Sequence, residues 1–103
     1  IDKKVFKQMN PQSMFINVGR GSAVNERDLA EALNTGEIAA AALDTTKKEP
    51  LEKSSPLWEA NNCFITPHDS AHSLMSLPRS FNLFLENVTN LKDGKPIKNL
   101  FEL

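Results

Sequence analysis

Cysteine occurs once in these 103 residues, at Cys63, which excludes an intrachain disulfide and any cysteine-rich metal site. A lone thiol fits a reducing compartment, so a cytoplasmic location is expected. Neither sign of charge is in excess: 12 Lys and Arg stand against 13 Asp and Glu, a net charge of -1. No basic footprint for nucleic acid or for an anionic membrane surface follows from that balance. Long apolar runs are missing too. The longest, residues 38–43, falls far short of the roughly 20 residues that a bilayer crossing needs. The chain opens Ile1-Asp2-Lys3-Lys4, without a methionine, a basic-then-apolar leader or a cleavage-site cluster, as expected of a processed chain or a piece of a longer one. Internal repeats and low-complexity segments are absent. What remains is an ordinary globular composition, 40% hydrophobic and 24% charged, in a length suited to one small domain.

Asp2 is placed to cap a short helix running to about Met9, with Ile1 and Phe6 as a hydrophobic staple and Asn10-Pro11 as its stop. Residues 14–18 are apolar apart from Asn17 and end at Gly19, which predicts a buried strand. A second helix over residues 26–35 is well punctuated. Asn25 precedes it as N-cap, Val24 and Leu29 take the staple positions, and Gly36 stands where a glycine cap belongs. Residues 38–43 predict a second strand, and 63–66 a third, stopped by Pro67. Between them, residues 45–62 read as a long polar loop with one helical turn at Leu57-Trp58-Glu59, and loops of that length in compact domains usually carry function. From about Ser70, Leu74, Leu77, Phe81, Phe84, Val88 and Leu91 recur at steps of three and four, an amphipathic helix that ends before Asp93-Gly94 and has Pro78 as a candidate kink.

Strands apolar on both faces, alternating with helices, predict an α/β fold with a parallel sheet covered by helices. Three strands leave bare sheet edges, so the chain is expected to be part of a larger sheet. Trp58 and Phe64 are expected in the core, the apolar stripe of the last helix in packing, and Cys63 as a small buried hydrophobe.

Gly19-Arg20-Gly21-Ser22-Ala23-Val24 lies between a strand and a helix like a dinucleotide-binding turn, with Asp44 twenty residues beyond Val24. Two features argue against that reading. Val24 stands where close helix packing wants glycine, and the helix cap falls at Asn25, outside the glycines. A phosphate-cradling turn is therefore not expected within these residues.

Taken together, Ile16-Asn17-Val18-Gly19-Arg20-Gly21, Ala41-Ala42-Leu43-Asp44, Glu49-Pro50, Pro56-Leu57-Trp58 and Ile65-Thr66-Pro67-His68 resemble the D-isomer-specific 2-hydroxyacid dehydrogenases. The resemblance runs nearly end to end, with twenty-four residues from Arg20 to Asp44 and five from Asp44 to Glu49, as in that family. It implies a Rossmann-like doubly wound sheet and a fragment of a two-domain protein. Residues 1–92 would be the C-terminal part of the cofactor domain with the last long helix, and 93–103 a tail belonging to the substrate domain. The glycine-rich turn and most of the substrate domain would lie upstream of Ile1, so these residues by themselves are expected to have no turnover.

The implied activity is hydride transfer between NAD or NADP and a small 2-oxo acid or D-2-hydroxy acid. That chemistry needs a cation for the carboxylate and a proton donor charged near neutral pH. Arg20 offers a planar fork for the carboxylate, His68 the proton, and Glu49 a carboxylate that favours the protonated imidazole and orients it. By the same resemblance Asp44 would meet the nicotinamide carboxamide, and Val18, Gly19, Arg20, His68, Asp69, Ser70 and Ala71 would line the cofactor pocket. A homodimer through the cofactor domain is implied as well.

Each residue has a plainer reading. Arg20 is otherwise a solvated loop residue, Asp44 a turn-former, Glu49 a surface charge and His68 a strand-end histidine. The sequence departs from the family at Thr45-Thr46, where apolar residues are usual, and at Asp69-Ser70-Ala71-His72, where Asp69 puts a second carboxylate beside His68. Two other functions stay open. One is a non-catalytic remnant or dimerisation module of the same fold. The other is a zinc hydrolase, because His68 and His72 stand four residues apart, although Pro67 argues against a helix there and no metal site is expected.

Overall fold

The computed structural model describes residues 1–101 and divides into two compact units, Ile1–Ser70 and a second from Ala71 onward. The first unit holds a parallel three-stranded sheet, β1 (Met14–Asn17), β2 (Ala40–Leu43) and β3 (Cys63–Ile65), in the order β1-β2-β3. Its helices are α1 (Lys3–Phe6) and α2 (Glu26–Thr35), with tight 3-10 turns at Gly21–Ala23 and Pro56–Trp58.

The helix signals act as their chemistry dictates. The Asp2 carboxylate accepts from Lys4 N–H at 2.9 Å, and Asn25 Oδ1 accepts from the N–H groups of Arg27 and Asp28, so both helices begin where the sequence places their caps. Gly36 closes α2 in the left-handed conformation, at φ 74°. α1 ends earlier than expected. After Phe6 the chain tightens into three-residue turns, with Gln8 N–H on the Val5 carbonyl and Met9 N–H on that of Phe6.

Register decides which side chains are covered. Phe15, Ala41 and Cys63 align across the sheet, as do Asn17, Leu43 and Ile65, and these rows face the core of Phe6, Leu29, Ala30, Ala32, Leu33, Ile38 and Leu57. Phe6 meets Phe15 edge to face, with ring centroids 5.5 Å apart. Ile16, Ala42 and Phe64 form the intervening row. Ile16 is 61% exposed and Phe64 63%, so the second face of the sheet is open, contrary to the expectation of cover on both faces, and Phe64 is not a core residue. The period of two that sends Cys63 and Ile65 inward sends Phe64 out.

Trp58 also lies outside the core, 56% exposed, its indole N–H donated to the Glu52 carbonyl at 2.9 Å. Its neighbour Leu57 fills the interior instead. Cys63 is half-buried rather than enclosed, and burial pushes its thiol up from the ordinary range. β2 begins at Ala40, two residues later than expected, although Ile38 is buried.

In the second unit, α3 (Ser76–Lys92) starts six residues later than its apolar period suggests, because residues 71–75 form turns and irregular backbone. Pro78 is its third residue, where a missing N–H has no intrahelical partner to lose, so the helix runs unbroken and the expected kink does not form. No residue of α3 is buried, and its Leu/Phe stripe is therefore not the packed surface that was expected. Asn87 ties the tail back, accepting from Lys98 N–H and donating to the Lys98 carbonyl. The expected boundary after residue 92 falls inside this unit. Residues 102 and 103 of the expected tail lie outside the described residues.

Candidate active site

Because the three strands are parallel and Asn17, Leu43 and Ile65 are in register, the segments that leave them emerge along one sheet edge. Open α/β sheets bind ligands at that edge. Residues 18–20, 44–49 and 66–70 are brought together there, and each carries at least one of the polar residues singled out above.

The turn after β1 is organised by Asn17, a residue outside the candidate site set named above. Asn17 is buried; its Oδ1 accepts from Gly19 N–H at 3.1 Å and its Nδ2 donates to the Arg20 carbonyl at 3.2 Å. The side chain thus mimics backbone and closes the turn that presents Arg20. A polar residue ending an apolar strand just before Gly-x-Gly is the signal that identifies it. Gly21 follows, packed so tightly that a Cβ there would overlap the Thr46 carbonyl. The Arg20 turn is thereby seated directly on the loop after β2.

Asp44 follows β2 directly and is only 5% exposed. Its Oδ1 accepts from Thr66 Oγ1 at 2.6 Å and Asp69 N–H at 2.8 Å, and its Oδ2 from Ser70 N–H at 2.9 Å. Hydrogen bonds from the Ser70 and Thr66 side chains, together with those N–H groups, hold the Asp44 carboxyl well below the usual carboxylate range. Thr45 beside it is 3% exposed, and its Oγ1 is the buried side-chain oxygen without a hydrogen-bond partner among the described residues.

Glu49 is fixed at both oxygens. Thr46 N–H donates to Oε1 at 3.0 Å, and His68 Nδ1 lies 2.8 Å from Oε2. Facing an ionised carboxylate, Nδ1 must carry its hydrogen, which leaves Nε2 as the nitrogen that can exchange a proton with a bound molecule. The bond from His68, reinforced by Thr46 N–H, lowers the Glu49 carboxyl below its ordinary value. His68 adopts a left-handed backbone, φ 58°, uncommon outside glycine.

Arg20, Thr45, Glu49 and His68 border one cavity of about 210 Å³. A guanidinium fork and an imidazole held by a carboxylate around one small cavity can bind a carboxylate and deliver or accept a proton beside it. Val18 is exposed at the end of β1, next to Gly19. Asp69 and Ser70 reach the site through their backbone N–H groups on Asp44, and Ala71 opens the second unit, its carbonyl accepting from Ser76 Oγ. Among the described residues no three His, Cys, Asp or Glu side chains come together as metal ligands, and residues 68–72 are not helical, so the four-residue histidine spacing does not make a helical zinc pair.

Residues 1–70 match the family described as D-isomer specific 2-hydroxyacid dehydrogenase, NAD binding domain. The chain belongs to this family. Among relatives of this 2-hydroxyacid dehydrogenase domain is a hydroxypyruvate reductase from Blautia hydrogenotrophica, 35% identical over 97 residues that make up 94% of the chain and 30% of the relative. A glyoxylate reductase/hydroxypyruvate reductase from Mus musculus is 50% identical over 66 residues, 64% of the chain and 20% of that protein. An NADPH-dependent glyoxylate/hydroxypyruvate reductase from Sinorhizobium meliloti, solved with NADP and sulfate, superposes with a TM-score of 0.85 at 27% identity, over 99% of the chain and 33% of that structure. The chain thus spans about a third or less of the length of these three proteins. Its sheet is part of the family's Rossmann-fold domain.

Proposed function

We propose that this chain is the nicotinamide-proximal part of an NAD- or NADP-dependent dehydrogenase that interconverts a small 2-oxo acid and the D-2-hydroxy acid. The observation that carries the reading is the hydrogen bond of 2.8 Å from His68 Nδ1 to Glu49 at a cavity shared with Arg20. The residues present suit the nicotinamide end of such a cofactor: the carboxyl ends of parallel strands, the exposed Val18 beside Gly19, and the 66–70 segment held by Asp44. The cofactor, when bound, supplies and accepts the hydride. The names of the relatives, hydroxypyruvate and glyoxylate reductases, point to two- and three-carbon 2-oxo acids.

In reduction, Arg20 holds the substrate carboxylate through paired N–H donors and draws electron density from the neighbouring carbonyl. As C2 gains hydride, the carbonyl oxygen takes the proton from His68 Nε2, and the imidazole is left neutral. Glu49 keeps Nδ1 protonated, so Nε2 is the nitrogen that loses and regains the proton. The reverse reaction uses the same atoms, with His68 as base. A cytoplasmic homodimer belongs to the same reading.

The test uses protein expressed from its complete reading frame, assayed with glyoxylate and hydroxypyruvate by loss of NADH or NADPH absorbance. His68→Ala is expected to lower kcat by about 100-fold or more, the usual span of general acid catalysis. Full activity in that variant excludes His68 as the proton donor. An inactive wild type favours the non-catalytic module instead.

A further inference from the structure

The expected role of Asp44 is contact with the nicotinamide carboxamide, yet its carboxylate is already engaged. Two oxygens offer about four acceptor positions. Thr66 Oγ1 and Asp69 N–H occupy Oδ1, and Ser70 N–H occupies Oδ2. A cofactor amide is left with about one position, on Oδ2. The donors also lie on both sides of His68 in the chain, at residue 66 before it and at 69 and 70 after it, while His68 itself holds the left-handed φ of 58°.

We infer that Asp44 is a positioning residue: its carboxylate clamps the 66–70 segment to the end of β2 and thereby sets the His68 ring against Glu49. The inference rests on the reading of His68 as the proton donor. Glu49 is referenced to the same stretch, since its Oε1 is held by Thr46 N–H, two residues beyond Asp44. Both members of the pair are therefore measured from residues 44–46, one through the Asp44 carboxylate and the other through the Thr46 amide. An acceptor on both oxygens is what this needs. Asparagine, of the same shape, would turn an NH2 group toward an N–H donor and release that side of the segment. Thr66 makes the idea separable from cofactor contact, because Thr66→Val removes one donor to Asp44 and leaves the carboxylate in place.

The experiment compares Asp44→Asn and Thr66→Val with wild type, all expressed from the complete reading frame. Amide hydrogen exchange at Asp69 and Ser70 is measured together with kcat and the Kd of NADH or NADPH, whichever the wild type oxidises. Asp44→Asn is expected to speed exchange at both amides at least about tenfold and to lower kcat by roughly 100-fold, the cost of misplacing a reacting group by about 1 Å. Cofactor Kd should stay within about twofold. Thr66→Val should move exchange and kcat in the same direction by a smaller factor, again without altering Kd. A weakened Kd with preserved kcat in Asp44→Asn overturns the inference in favour of cofactor contact. Unchanged exchange at Asp69 and Ser70 in both variants also overturns it. If Asp44→Asn fails to fold, Thr66→Val decides alone, and unchanged exchange and kcat there reject the clamp. Absence of any 2-oxo acid reduction by wild type counts against the proposed reaction, whereas the exchange result still judges the clamp.

Discussion

Asp44 and Glu49 are both carboxyls that hold protons more weakly in the fold than in the unfolded chain, Asp44 through Ser70 and Thr66, Glu49 through His68 and Thr46. Unfolding therefore takes up protons in acid, and stability must fall as pH falls. Their contribution is complete above the unfolded values, about 4 for such side chains, and is lost as the pH drops through the lowered folded values. The expected outcome is a denaturation midpoint that holds steady from pH 7 to about 5.5 and declines below about 4.5, with a shallower decline in Asp44→Asn. Urea titrations at stepped pH check it, and an acid limb of equal slope in wild type and variant would remove Asp44 from the account. The residues of this network were only partly legible in the sequence. Glu49 and His68 announce themselves by residue type and order. Thr66 does not, because its hydroxyl bonds Asp44, 22 residues away, across a gap that only the fold closes; Asn17 and Thr46 act through bonds to residues three positions on, Thr46 by its backbone N–H, which residue type does not reveal.

Among the elements, the contact that aligns the two halves of the site is the seat of the Gly21 turn on the Thr46 backbone. No flexible side chain lies between them to yield, so Gly21→Ala forces the β1-to-α2 connection away from the loop that carries Glu49. Overpacking of this kind costs about 1–3 kcal/mol, which at this size corresponds to a drop in Tm of at least about 4 °C. The same displacement moves Arg20 relative to His68, so on the proposed reading KM for the 2-oxo acid should rise even at temperatures where the variant is folded. Thermal melts and steady-state kinetics read the two effects separately, and an unperturbed Tm contradicts the packing argument. Element by element, what the sequence made legible depended on local chemistry. The caps Asn25 and Gly36 fix α2 within the chain's own neighbourhood, and that helix falls at Glu26–Thr35 as read. For α3 the apolar period points to an earlier start than the helix has, because Leu74 continues that period into residues that form turns, and periodicity alone carries no stop signal there.

At the scale of the whole molecule, the open face of the sheet is the feature that sequence pattern could not foresee. Ile16 and Phe64 have the composition of buried strands, and in these residues they are exposed. Composition reports whether a side chain avoids water, whereas which chain covers it depends on what else folds beside the sheet. The family relatives are about three times as long as this stretch, and on the proposed reading that additional chain includes what lies on this face. The two cases separate on one substitution. In the 103-residue chain Phe64→Ser removes an apolar ring from water, so stability should change by no more than about 0.5 kcal/mol, as for ordinary surface sites. In protein from the complete reading frame the same change would empty a packed position and cost about 3 kcal/mol or more, the range for losing a buried aromatic ring. Urea unfolding of both lengths measures the contrast. Equal, small effects at both lengths would mean that Phe64 is a surface residue in its own right and that the sheet ends in solvent on that side.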